Sequence, residues 1–152
     1  MLKVVVDYPS REEELEILKR MAKTTQDTEV DCVMQADAIA IARSLVDQIY
    51  VDDNIANYIV ELVQITRTPE MVSEELAEFV EYGASPRATL ALTLCAKANA
   101  FLDGRGYVIP QDVKDLAHDV LRHRVATTYE AEAEGKTSDD IISAILDFVK
   151  VP

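Results

Sequence analysis

Seventeen consecutive positions constrain this chain more than any others. From Pro86 to Leu102 the sequence reads as one helix, and Leu90, Ala91, Leu92, Leu94, Cys95, Ala98, Phe101 and Leu102 leave it almost no polar face. A helix apolar all round belongs at the centre of a packed structure rather than on its surface. Its start is well marked. Ser85 is a favoured N-cap type, because its hydroxyl can accept a free first-turn N–H. Pro86 follows at the first helical position, where its missing N–H costs nothing. Asp103-Gly104-Arg105-Gly106 is a turn that ends it.

Around this helix the apolar periodicity predicts others. Pro9 and Ser10 open a helix that ends near Lys23, with Glu12, Glu13 and Glu14 in its first turn as a solvated start and Leu15, Leu18 and Met21–Ala22 as its buried stripe. A second runs from about Gln35 to Ile49, with Ala38, Ile39, Ala42, Leu45, Val46 and Ile49 on one face. Asp52 or Asp53 caps a third, in which Ile55, Tyr58, Ile59, Leu62, Val63 and Thr66 recur at helical spacing. Glu74 to Val80 reads as a short helical turn. Pro110 starts a helix through about Val120, continued by a turn to Val125. Thr137 or Ser138, with Asp139 and Asp140, caps the last, whose stripe is Ile141, Ile142, Ile145, Leu146 and Val149. Residues 2–6, Leu-Lys-Val-Val-Val, read as one β-strand, which must find a partner elsewhere or pack loosely. Thr24 to Asp31 is a polar loop, Val30 and Val33 suggest a brief extended segment, and the Glu130–Glu134 alternation with alanine reads as a solvated face.

Composition excludes several classes. The net charge is −13, from 28 acidic and 15 basic residues. Such a chain repels a polyanion over most of its surface, which argues against nucleic-acid binding. No run approaches the 18 or so apolar residues of a membrane helix, and no signal peptide is recognisable, so a cytoplasmic location is expected. Cys32 and Cys95 lie far apart, and no disulfide is expected in a reducing compartment. His118 and His123 lack zinc spacing. No nucleophile, base and orienting group stand together as a small hydrolase would need.

One residue is electrostatically out of place. Arg87 lies in the first turn of the apolar helix, beside the positive end of its dipole, unfavourable by ~0.3–1 kcal/mol unless something compensates. An anion would: a helix N-terminus plus a guanidinium suits a phosphate. On the residues alone, a solvated arginine tolerated at a helix end remains the alternative.

Gly83-Ala84-Ser85-Pro86-Arg87 resembles the sensor-2 motif of MoxR-family AAA+ ATPases. The similarity continues, in order, through Val6-Asp7-Tyr8-Pro9-Ser10-Arg11-Glu12-Glu13-Glu14, Tyr50-Val51-Asp52-Asp53, Gly106-Tyr107-Val108-Ile109-Pro110-Gln111-Asp112-Val113, Val120-Leu121-Arg122-His123-Arg124 and Tyr129-Glu130-Ala131-Glu132-Ala133-Glu134-Gly135. The resemblance implies a mainly α fold: an AAA+ C-terminal lid, a bundle of about five to six helices (residues 9–152), with residues 1–8 as the last strand of an ATPase core. No G-x-x-x-x-G-K-[ST] phosphate loop is present among the four glycines, so the chain reads as part of a larger ATPase and is not expected to hydrolyse ATP by itself.

Several roles follow from the resemblance. Arg87, positioned by Ser85 and Pro86, would read the γ-phosphate of ATP bound with Mg2+ on the core. Tyr8 and Pro9 would form the hinge and border the adenine. The family pattern places a threonine where Ile109 stands, so one side-chain cap is lost, worth about 1 kcal/mol if nothing substitutes. Arg122, His123 and Arg124 would either contact a neighbouring subunit or simply neutralise a helix C-terminus. The implied partners are the ATPase core, neighbouring subunits of a ring and von Willebrand factor A-domain proteins, in chaperone-like remodelling. Alone, the chain is expected to be a monomer or weak dimer. The competing reading is a free-standing helical interaction module.

Overall fold

The computed structural model describes residues 1–24 and 30–152. Eight α-helices follow in order: α1 (Arg11–Met21), α2 (Ala36–Gln48), α3 (Asp53–Ile65), α4 (Glu74–Phe79), α5 (Pro86–Leu102), α6 (Pro110–Leu121), α7 (Tyr129–Ala133) and α8 (Ser138–Phe148). The count exceeds the expected five to six because α4 is a full short helix and the Glu130–Glu134 segment forms α7, which buries Ala131 rather than lying wholly in solvent.

Helix ends follow local chemistry. Asp52 caps α3 by accepting from the Asn54 amide. Thr137 and Asp140 cap α8 reciprocally. After α5 the chain turns through Gly104 at φ 73°, and the amides of Gly104 and Arg105 donate to the carbonyls of Phe101 and Ala100. That pair of bonds closes a helix whose exit requires a left-handed residue, which glycine adopts without strain.

α5 packs on α2, α3 and α6, and α8 closes over α3 and α6. Ile59, Leu62, Leu92, Val113, Leu121 and Ile141 are among the fully buried side chains between them. The small side chains Ala88, Ala91, Ala96 and Ala100 let neighbours approach α5 closely. The helix is central, yet Leu90, Leu94 and Leu102 still face outward.

A two-stranded antiparallel sheet, β1 (Val80–Tyr82) with β2 (Ala126–Thr127), sets Val80 opposite Thr127 and Tyr82 opposite Ala126. Tyr50 and Tyr107 form an isolated parallel bridge, with the Tyr50 amide donating to Gly106 and the Val108 amide to Tyr50. It pins the entry to α3 against the entry to α6.

The first 48 residues differ from the sequence expectation. Helix α1 ends at Met21 rather than Lys23, and neither α1 nor α2 buries a residue. Leu15 is 51 % exposed and Leu18 59 %. The apolar period is helical, but no described element buries Leu15 or Leu18. Residues 2–6 join no β-ladder; they pack loosely, held where the Lys3 amide donates to the Asp119 carbonyl. Val30 and Val33 are exposed and not in a strand; most of the loop expected from Thr24 to Asp31 lies outside the described residues. No described helix is long and apolar enough to cross a membrane.

Candidate functional site

The start of α5 is held by a short loop. Gly83, Ala84 and Ser85 carry the chain from β1 into the helix. The Ala84 amide donates to Thr66 Oγ1 at 2.8 Å, and the Thr66 hydroxyl donates to the Val63 carbonyl at 2.7 Å. Both Thr66 and Ala84 are fully buried. At Gly83 a Cβ would lie 2.2 Å from the Thr66 carbonyl oxygen, so no other residue fits without moving the end of α3.

Ser85 occupies the N-cap with extended backbone angles, but its hydroxyl makes no cap bond; the backbone bond from the Ala88 amide to the Ser85 carbonyl closes the first turn instead. The side-chain cap expected of Ser85 is therefore absent. Pro86 is at the first position as expected.

Arg87 is exposed, and among the described residues it makes no ion pair and no side-chain hydrogen bond. Of the described α-helices, α5 alone has no acidic residue in its first turn. In a chain of net charge −13, this one helix N-terminus keeps both its dipole and a guanidinium uncompensated. What the arrangement can do is accept an anion at the guanidinium fork beside the positive end of the helix dipole; Pro86 has no N–H and the Ala88 amide is taken by the Ser85 carbonyl, so Arg87 carries most of the donors.

The other expected site residues lie apart from it. Tyr8 is 99 % exposed and Pro9 is exposed, so the structure does not bring them against Arg87. They precede Ser10, which with Glu13 forms a reciprocal cap on α1. The Ser10 amide, then its hydroxyl, holds the Glu13 carboxyl below the usual glutamate range.

Arg122, His123 and Arg124 diverge into three tasks. Arg122 pairs with Asp139 at 3.0 Å and Asp119 at 2.8 Å and donates to the Lys3 carbonyl, joining α6, α8 and the N-terminal segment. Arg124 donates to the Val120 carbonyl at the end of α6, the helix-terminus role the residues suggested. His123 faces solvent; partial desolvation first, then the positive charges of Arg124, the N-terminus, Lys3 and Arg122, lowers its imidazole below the usual histidine value.

Sequence reasoning passed over one buried hub. Asp112, 1 % exposed, accepts from Asn99 at 2.9 Å, from Arg105 at 2.8 Å and from the Ile109 amide at 2.8 Å. Burial would raise its carboxyl; the Arg105 guanidinium, the Ile109 amide and the Asn99 amide outweigh that and hold it low. The bond to Ile109 also supplies, from the third helical position, part of the cap that Ile109 cannot. An acid three residues past an N-cap was a visible signal of this. The Thr66–Ala84 bond, spanning 18 positions, had none.

Residues 73–145 match the AAA lid domain family. The whole chain aligns with the chaperone MoxR1 of Mycobacterium tuberculosis at 35 % identity, covering 40 % of that protein, and with the protein YeaC of Bacillus subtilis at 36 % identity, covering 45 % of it. The chain carries a MoxR-type AAA+ lid. A crystal structure of a candidate ATPase from Cytophaga hutchinsonii superimposes on the full chain with a TM-score of 0.93 at 36 % identity, over 46 % of that chain. The chain thus spans less than half the length of these relatives. Within the lid, the matched region begins at the cap of α4 and takes in the sheet, the α5 start with Arg87, the Asp112 hub and α8 as far as Ile145.

Proposed function

We propose that this lid senses nucleotide through Arg87. The reading rests on one observation: an unpartnered guanidinium at the only acid-free helix start among the described helices. A terminal phosphate satisfies both charges at once. The ATP and its Mg2+ would be held by a nucleotide-binding core, with Arg87 meeting the γ-phosphate from the lid side. Among the described residues no three His, Cys, Asp or Glu side chains are grouped to hold a metal, so the ion would depend on the phosphates and the core.

Losing the γ-phosphate removes a charge-assisted hydrogen bond of ~1.5–3 kcal/mol, enough to shift a hinge equilibrium more than tenfold. Pro86 fixes the direction in which Arg87 leaves the loop. Tyr8, 99 % exposed, and the exposed Pro9, just ahead of α1, suit a hinge bordering the adenine. Through that rotation the lid would couple nucleotide turnover to chaperone-like remodelling of partner complexes in a ring, von Willebrand factor A-domain proteins among them; His123 is the solvent-facing member of the basic triplet available to a neighbouring subunit. The name of the mycobacterial relative supports the chaperone part.

Arg87→Ala in the protein as its gene encodes it should lower the ratio of ATP to ADP affinity about tenfold, read by nucleotide titration calorimetry. An unchanged ratio of the two affinities would refute the reading, with unchanged hydrolysis as the accompanying sign.

A further inference from the structure

We infer that Thr66 is the positioning residue that ties the Arg87 loop to the end of α3 and so carries the nucleotide response into that helix. The inference rests on the sensing role of Arg87 and adds to it the element that receives the signal.

The case is geometric. The Ala84 amide is fully buried, so no water can serve it, and the Thr66 hydroxyl is the partner it has. That hydroxyl carries one hydrogen. With the hydrogen directed at the Val63 carbonyl, a lone pair faces Ala84. Among the described residues it is the one hydrogen bond between the Gly83–Ser85 loop and α3. The Thr66 backbone presses on Gly83 so closely that a Cβ there has no room, and Arg67 Cγ lines the same contact. From Ala84 to Arg87 is three residues, two of them the N-cap and a proline with fixed φ. The loop therefore has little freedom to absorb a displacement: where α3 ends decides where Arg87 begins. A charge-assisted bond is sharply sensitive to distance and angle, so a shift of a fraction of an ångström at Thr66 reaches the phosphate contact. Coupling between two sites is reciprocal, so capture of a phosphate by Arg87 must bias the end of α3.

Thr66→Val keeps the volume and removes both hydrogen bonds. In the gene-encoded protein the ratio of ATP to ADP affinity should fall by about three- to fivefold, and Thr66→Ser should restore it. In an Arg87→Ala background Thr66→Val should have no further effect on that ratio, because both changes act on one contact. Amide exchange in the last turn of α3 should differ between ATP- and ADP-bound wild type and not in Thr66→Val. A lowered melting temperature with the wild-type affinity ratio would overturn the inference, leaving Thr66 a packing residue. If Thr66→Val does not fold, Thr66→Cys, a weaker donor and acceptor, should give a ratio between those of serine and the wild-type-minus-Arg87 level; a ratio equal to wild type would overturn it. Should Arg87→Ala leave the ratio unchanged, the sensing role itself fails, which the Thr66 variants cannot mimic.

Discussion

Replacing Asp112 by alanine tests how the lid holds its central helix in register. The Asp112 carboxylate is the common acceptor for Asn99 on α5, Arg105 in the following turn and the Ile109 amide that opens α6. Removing it deletes the bonds and leaves the half-buried Asn99 and Ile109 donors without their acceptor, beside a position that is itself 1 % exposed. Arg105 retains Asp103 and some water, which limits the damage. A loss of about 3 kcal/mol follows, at the lower end of what breaking a buried charged partner costs. For a bundle of this size that is a fall of ~10 °C in melting temperature, measurable by circular dichroism at pH 7. The deficit should depend on pH in a fixed direction. The folded-state carboxyl titrates below its unfolded value. Its stabilisation is therefore complete above about pH 4 and is lost as pH falls through the folded value, where wild type and variant should converge. A variant within 2 °C of wild type at neutral pH would refute the reasoning, as would a deficit that persists unchanged to pH 2.5.

Two further outcomes follow from the caps and the solvent-facing histidine. Thr137→Ala should cost about 1 kcal/mol in urea unfolding and Ser85→Ala less than about half that, since of these two N-caps Thr137 makes a side-chain bond and Ser85 does not; equal costs would contradict the assignment. His123 should titrate below the ordinary histidine value by nuclear magnetic resonance, so that its contribution to stability is present above about pH 6.5 and declines as the pH falls and the unfolded chain takes up the proton first; a raised value would be inconsistent with its cationic surroundings.

What could be read from the sequence was local. Both bounds of α5 are where Ser85-Pro86 and Asp103-Gly104 place them, and α3 and α8 begin at the acids and threonine that cap them. Arg87 stood out because a charge at the wrong helix end needs no tertiary information to be noticed. The rest depended on pairs distant along the chain. Strands of three and two residues, such as Val80–Tyr82 and Ala126–Thr127, are too short to show a period. The hold of Thr66 on Ala84 is invisible until α3 and α5 are packed, and Thr66 fits its helical stripe equally well as a plain core residue. Ser85 shows the converse: a favoured N-cap type in the right place can leave its hydroxyl unused.

The exposed stripes of α1 and α2 bear on function as well as on prediction. Helices of 11 and 13 residues are marginal in water without tertiary packing. Here Leu15, Leu18 and Met21 on α1, and Ile39 and Leu45 on α2, stay about half exposed. The buried core is built from Ile49 onward, and the first 48 residues add no buried residue to it, α2 touching it through its contact with α5. On the reading proposed above, in which the lid rotates, the lid needs that division. Its body must move as one unit, which the Asp112 hub and the α3–α5–α6 core provide, while the segment leading into it must be able to change neighbours. Tyr8, wholly solvated between the loosely held residues 2–6 and the capped start of α1, sits where such a change can occur without breaking a buried contact.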